Sequence, residues 1–265
     1  MERRSALVRD RLTDAEWAIF APFLTEQSAR GGRPPKDHRR TLDGIFWITR
    51  TGAPWRDLPE ELGKWNSVDR QFRRWTTSGI WDVLLQALAD SGGEADMLQM
   101  IDSTIIRAHH CAAGGKGGTQ SQALGRSRGG FSTKLHLRAN ADGLPISVVL
   151  TPGEAHDLIA YDDLMAERDS DPGVLLGDRG YDSDRLRQDA RDRGAQPEIP
   201  TKRSRKVQHS VNRRLYALRS RIECFINRLK NCRRVATRYD HTASSFLGFA
   251  LLGCIRLWIR FVHAA

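Results

Sequence analysis

Residues 98–107 read LQMIDSTIIR, an apolar run with a single carboxylate, Asp102, near its centre. So short a stretch rich in isoleucine predicts a strand buried on both faces. A charge in such a strand is costly unless it is paired, hydrogen-bonded or bound to a metal. The plainer alternative is a shorter strand, with Asp102 capping a turn through Ser103-Thr104. Working outward, the same reasoning predicts strands over 131–138, 145–150, 174–176 and 196–199, and helices over 156–167, 183–193 and 212–230. A Gly/Ser/basic loop, 114–130, separates the first two strands and is expected to be mobile without a partner.

The order is three strands, helix, strand, helix, strand and a long helix. Three consecutive strands need a meander and the later units need parallel crossovers, so the sheet should be mixed. That order is the order of a ribonuclease H-like α/β fold. The first 93 residues differ and read as helices. Thr13-Asp14-Ala15-Glu16 is a capping box that opens a helix with Trp17, Phe20, Phe23 and Leu24 on its apolar face. The linker GGRPPK (31–36) ends this part, and a second helix is expected over 37–51, stopped by Gly52. A third helix begins near Asn66-Ser67 with Arg70, Arg73 and Arg74 off its apolar face, and Gly79 parts it from a fourth, 81–89. Such a set suits a small all-α DNA-binding domain of helix-turn-helix type, or equally a plain helical bundle with solvated arginines. Ser91-Gly92-Gly93 is the expected seam, giving domains over 1–93 and 94–265.

The net charge is +10, and it is localised: residues 201–238 hold 13 Lys/Arg against one acid, Glu223. That local excess leaves the rest of the chain slightly acidic, which favours a nucleic-acid surface over general solubility. Cys111, Cys224, Cys232 and Cys254 show no paired spacing and read as reduced thiols of a cytoplasmic protein. His109-His110-Cys111 lacks the distant second pair that a zinc site needs. The start, MERRSALVRD, has no apolar signal core, and the apolar run 246–262 carries Arg256 and Arg260, so it reads as a buried helix and no membrane segment is expected.

Two further acids share the setting of Asp102. Asp178 follows the apolar run VLLG, at the strand end where ligands of open α/β sheets gather. Asp182, four residues on, is placed to cap the next helix and reads as structural. Glu223 lies on the long helix, where about 100° per residue puts Tyr216, Arg219, Glu223 and Lys230 in a stripe roughly 60° wide beside the buried face. A lone Glu in a basic field is ordinarily an ion-pair partner; beside two strand-borne aspartates it becomes a third ligand. Three carboxylates suit Mg²⁺, with Mn²⁺ as a substitute. Two such ions about 4 Å apart would serve an in-line displacement at phosphorus. Arg219 and Lys230 are then expected to hold phosphates, arginine with a fork and lysine as a point charge. Arg179, Arg221, Arg228, Arg233 and Arg234 are further expected DNA contacts.

The spacing Tyr216-x₂-Arg219-x₃-Glu223-x₆-Lys230 resembles the YREK signature of DDE transposases of the insertion-sequence 4-like group. MIDSTIIRAH, GRSRGGFSTKLH, GDRGYDS, RRVATRYD and the N-terminal GAPWRDLPEELGKWNSVDRQFRRW are similar to the insertion-sequence 5 family. The resemblance covers nearly the whole chain. It implies a ribonuclease H-like catalytic domain with Asp102, Asp178 and Glu223 as the acidic triad, and a nucleoid-associated protein that acts as a homodimer on DNA. It further implies recognition of terminal inverted repeats, cleavage at the element's ends and strand transfer into target DNA. One departure is Cys224, where many relatives carry Arg. The competing readings are a ribonuclease H-like nuclease or resolvase that cuts without joining, a DNA-binding repressor descended from a transposase, and a recombinase using Tyr216 or Tyr239 as nucleophile.

Overall fold

A computed structural model describes residues 11–24, 37–91, 97–115, 117–127, 129–166 and 171–262. Four helices come first: α1 (Asp14–Leu24), α2 (His38–Thr51), α3 (Trp65–Thr77) and α4 (Ile80–Asp90). The capping box closes in both directions. The N–H of Thr13 donates to Glu16 Oε2 at 2.9 Å, and the N–H of Glu16 donates to Thr13 Oγ1 at 3.1 Å. Asp37 caps α2, and Gly52 ends it with φ 67°, a left-handed conformation that favours glycine. The linker 31–36 and Gly92-Gly93 of the expected seam lie outside the described residues.

The strand region follows with β1 (Leu98–Ala108), a short α5 (Gly118–Ser121), β2 (Gly125–Ser127), β3 (Gly130–Ala139), β4 (Pro145–Pro152), α6 (Tyr161–Ala166), β5 (Val174–Leu176), α7 (Asp184–Asp192) and β6 (Gln196–Glu198). β1 runs antiparallel to β3, and β3 antiparallel to β4. β1 runs parallel to β5, and β5 to β6. The main strands therefore lie in the order β4-β3-β1-β5-β6, a mixed sheet with β1 at its centre. This is the meander followed by crossovers that the sequence predicts, with strand ends displaced by one or two residues. β2 pairs with the beginning of β3.

The predicted long helix over 212–230 is two helices, α8 (Arg213–Ala217) and α9 (Ser220–Leu229). Between them the N–H groups of Leu218, Arg219 and Arg221 bond three residues back, to Leu215, Tyr216 and Leu218, a tighter turn than the α-helix. After α9 come α10 (Arg233–Ala236), β7 (Thr237–Arg238), which pairs with the far end of β1, and α11 (Ala243–Val262).

Strand alternation divides the core. Met100 and Ile106 of β1 face one side with Leu135, Leu137 and Val148, and meet Ile222, Phe225 and Leu229 of α9 together with α11. Ile101 faces the other side and meets Tyr161, Leu164, Tyr181, Leu186 and Ile199 around α6 and α7. The N-terminal helices join the first cluster. Their hub is Phe249 of α11, stacked on Phe72 of α3 with ring centroids 4.3 Å apart and lying 6.0 Å from Trp55. α11 is long and apolar enough to cross a membrane, but 67 % of its apolar stretch is buried inside the protein, as expected of a core helix. Its internal charge, Arg256, lies over the Phe46 ring and 3.6 Å from Glu16 of α1.

Phe249→Ala should therefore lower stability by about 3–5 kcal/mol, while Val83→Ala, on an exposed position of α4, should change it by less than about 0.5 kcal/mol. Urea denaturation followed by tryptophan fluorescence measures both, and the helical and sheet layers should lose structure in one transition.

Candidate active site

Asp102 stands in the middle of β1, on the sheet face covered by α9, with its side chain 13 % exposed. Its Oδ1 accepts the backbone N–H of Ser103 at 2.9 Å, and its Oδ2 accepts Nη1 of Arg219 at 3.1 Å. Asp178 leaves the carboxyl end of β5, and its Oδ1 accepts the N–H of Gly180 at 2.7 Å across the turn Arg179–Tyr181. Glu223 sits in the first turn of α9, 49 % exposed, and pairs with the same Arg219. Burial pushes the Asp102 carboxyl up to about 6; the Ser103 N–H and Arg219 oppose the rise, and the charges of Asp178 and Glu223 add to it. The charges of Asp178 and Glu223 thus both reach Asp102.

Arg219 is placed differently from expectation. It is bonded to two carboxylates, with Tyr216 flanking it at 5.8 Å. A guanidinium beside acids forms charge-assisted bonds with them. The tight turn at Leu218 and Arg219 directs this side chain back to β1. Among the described residues no three His, Cys, Asp or Glu side chains converge as a metal-binding group, and the Arg219 guanidinium bridges Asp102 to Glu223. The donor chemistry still fits a hard divalent cation. The donors are oxygens, negative charge is in surplus, and a cation already bridges two of the three acids.

A second carboxylate network adjoins this one and was not recognised in the sequence. Asp157, in the turn between β4 and α6, accepts the Ser103 hydroxyl at 2.7 Å and Lys134 Nζ at 3.0 Å. In sequence it stands at the start of an expected helix, where an aspartate reads as a cap. Gly180 is confined between the two networks. A Cβ there would meet Asp157 Oδ2 at 2.7 Å and Asp178 Oδ1 at 2.8 Å.

Asp182 is structural, though not as a cap. It is fully buried, accepts both Arg187 and Arg205 at 2.9 Å, and takes the N–H of Lys202 at 2.8 Å. It pins the beginning of the basic segment to the α7 side of the sheet. The basic segment itself divides into two populations. Arg234, expected at DNA, is buried: it pairs with Asp240 at 2.7 Å and lies over Phe249, so its charge faces the core. Arg238 is wholly buried and bonds Thr133 and Ala123. Arg221 donates to Ala141 O at 2.6 Å beside Asp142. Arg203, Lys206, Arg213, Arg214, Arg228 and Arg233 are exposed, and Lys230 is half-buried at the end of α9. Arg179 is exposed beside Asp178, while Arg70, Arg73 and Arg74 are exposed on α3, Arg73 pairing with Asp69 at 3.1 Å. His109 and Cys111 contact each other at 3.1 Å at the far end of β1.

Residues 12–85 match the family model described as "Putative transposase of IS4/5 family", and residues 95–258 match the one described as "Transposase DDE domain". A Brucella ovis protein named "Putative transposase for insertion sequence element IS6501" is 36 % identical over 131 residues, 49 % of this chain and 100 % of that protein. The Sinorhizobium fredii protein "Uncharacterized protein y4sN" is 42 % identical over 119 residues, 43 % of this chain and 92 % of that protein. Among solved structures, the piggyBac transposase in its synaptic complex with hairpin DNA superposes with a TM-score of 0.52 at 10 % identity. That superposition covers 98 % of this chain and 73 % of that one, and it shows a shared ribonuclease H-like fold.

The raised pKa of Asp102 has a sign that can be checked. The fold favours its protonated form, so its contribution to stability is full below the unfolded value of 3.8 and is lost as pH rises through about 6. Asp102→Asn, which cannot ionise, should be more stable than the wild type at pH 7, by at most about 3 kcal/mol, and equal to it near pH 4. Thermal melts of both proteins across this range would show the difference closing, and a constant difference would contradict the buried-charge account. Gly180→Ala should displace the Asp178 turn and lower any metal-dependent activity at least tenfold while the far side of the molecule stays folded.

Proposed function

The chain belongs to the DDE transposase family, and from that membership we propose that it mobilises a bacterial insertion sequence by cutting at the element's terminal inverted repeats and joining the freed ends to target DNA. The observation that supports this reading is that the charges of Asp178 and Glu223 both act on Asp102, while Asp102 and Glu223 share one arginine, Arg219. Asp102, Asp178 and Glu223 are the residues that would hold two Mg²⁺ ions, or Mn²⁺ in their place. Such ions supply Lewis-acid stabilisation of the attacking and leaving oxygens.

The protein's own side chains do the rest. Arg219 neutralises the acids until DNA arrives; a phosphate then competes for its fork, and Asp102 and Glu223 are released together. Tyr216 lies beside that guanidinium, and Lys230, Arg179, Arg228 and Arg233 would extend the path for the backbone. Residues 1–93, with Arg70, Arg73 and Arg74 on α3, would bind DNA at the inverted repeats, and residues 94–265 would carry the chemistry. The separate family matches to 12–85 and 95–258 support that division. Synapsis of two ends calls for a homodimer on DNA, acting on the nucleoid in the cytoplasm.

Purified protein incubated with its gene's flanking DNA and Mg²⁺ or Mn²⁺ should cut at an inverted repeat and join the product to a second duplex. Asp102→Ala, Asp178→Ala and Glu223→Ala should each cost at least 10³-fold while DNA binding persists. Binding without cutting by the wild type would favour a repressor descended from a transposase, and cuts that survive in all three variants would overturn the active site. Arg219→Gln should lose cleavage yet bind Mn²⁺ more tightly than the wild type in the absence of DNA, because the internal competitor is gone. DNA affinity should fall steeply with salt.

A further inference from the structure

Asp157 lies where three parts of the active-site region come together. Oδ1 receives the hydroxyl of Ser103, the residue after Asp102 on β1, and the ammonium of Lys134 on β3. Lys134 Nζ also donates to Ala155 O at 2.5 Å, which fixes the turn that carries Asp157. Oδ2 faces Gly180, the residue whose N–H holds Asp178 Oδ1. The pair is sheltered, with the Lys134 side chain 11 % exposed and that of Asp157 22 %. Burial alone would raise the Asp157 pKa, but the bonds from Ser103 and Lys134 outweigh it and hold the group below the ordinary carboxylate value, so it is ionised at neutral pH. The other titratable groups facing it are His136 on β3, which burial lowers to about 4 and keeps neutral, and Tyr181, whose pKa burial raises, with Asp157 adding to the rise.

We propose that Asp157, neutralised by Lys134, is a positioning residue that sets the separation of Asp102 and Asp178, and that it is not itself a ligand of the cation those acids would hold. This rests on the reading of Asp102, Asp178 and Glu223 as the cation site. Asp102 and Ser103 are neighbours on one strand and point to opposite faces of the sheet. A tether on Ser103 therefore fixes the strand under Asp102 without entering the space in front of it. The second oxygen limits how far the Asp178 turn can move, because Gly180 stands close between the two carboxylates. Lys134 reduces the repulsion that an unpaired fourth acid would exert on Asp178, and together with Ser103 it holds Oδ1, so that Oδ2 is kept turned towards Gly180. Partners of this kind around metal ligands are typically worth about 10- to 100-fold in metal affinity.

The test is Mn²⁺ binding by the full-length protein without DNA, read by electron paramagnetic resonance, with cleavage kinetics on an end-containing duplex alongside. Asp157→Asn should weaken Mn²⁺ about tenfold or more, lower the maximal cleavage rate with little change in the KM for DNA, and recover activity as Mn²⁺ is raised. Asp178→Asn should lose binding and show no such recovery. Ser103→Ala, a milder change that keeps the ion pair, should move in the same direction by about threefold, and it decides the matter if Asp157→Asn does not fold. If Asp157→Asn binds Mn²⁺ like the wild type while Asp178→Asn does not, the positioning role is wrong. If Asp157→Asn behaves like Asp178→Asn and high Mn²⁺ does not rescue it, Asp157 is a ligand and the proposal is overturned in favour of four acids. Wild-type binding by both Asp102→Asn and Asp178→Asn would show that the cation-site reading itself has failed, and the proposal with it.

Discussion

The constraint from which the site follows is the presence of an ionisable carboxylate in the middle of the central strand. β1 has neighbours on both edges and apolar layers on both faces, so Asp102 is held where water compensates it poorly. The structure answers with a backbone N–H on one oxygen and a guanidinium on the other. That guanidinium must arrive from above the sheet, and the break between α8 and α9 brings it there. An unbroken helix would send the following residues along a different line. The break, the acid on β1 and the acid on α9 are therefore one arrangement: two negative groups from distant parts of the chain, brought to a common positive one. A site built this way is charged and only partly neutralised from within. An anionic ligand that draws Arg219 away leaves two acids in need of a new cation.

The strands and their order were legible because burial on both faces writes itself as continuous apolar runs, and the connections permit few topologies. Asp102 and Asp178 were legible for the same reason, as polar residues set against apolar strands. Glu223 was legible as the sole acid of a basic helix. What escaped depends on partners that are distant in sequence. The break at Leu218–Arg219 has no proline or glycine to announce it. Arg234 and Arg238 looked like members of a basic surface, and only the fold shows that Asp240, Thr133 and the rings of Tyr239, Phe246 and Phe249 enclose them. Asp157 was hidden because its partners, Ser103 and Lys134, lie on strands 54 and 23 residues earlier in the chain. Asp182 was read correctly as structural but for a local reason, whereas its bonds reach Lys202 and Arg205.

The basic segment illustrates why composition overstates a surface. Some of its cations build the protein: Arg205 fastens the segment through Asp182, Arg234 and Arg238 consolidate the crossing from α10 to β7, and Arg219 balances the acidic site. The remainder reaches solvent. A ligand meets only that remainder, arranged around an acidic centre whose net charge is reduced by its own arginine.

The core formed by α2, α3 and α11 has a consequence for how the molecule is made. Phe72 and Trp55 belong to the part of the chain synthesised early, yet the ring they pack against, Phe249, is reached almost 180 residues after Phe72. At translation speeds of about 5–20 residues per second, the helical layer spends roughly 10–40 s with its aromatic face uncovered. During that interval a nascent chain presents an apolar groove to whatever is nearby, including another chain on the same message. Assembly of this fold is thus governed by α11, which closes a core that the earlier helices can only begin.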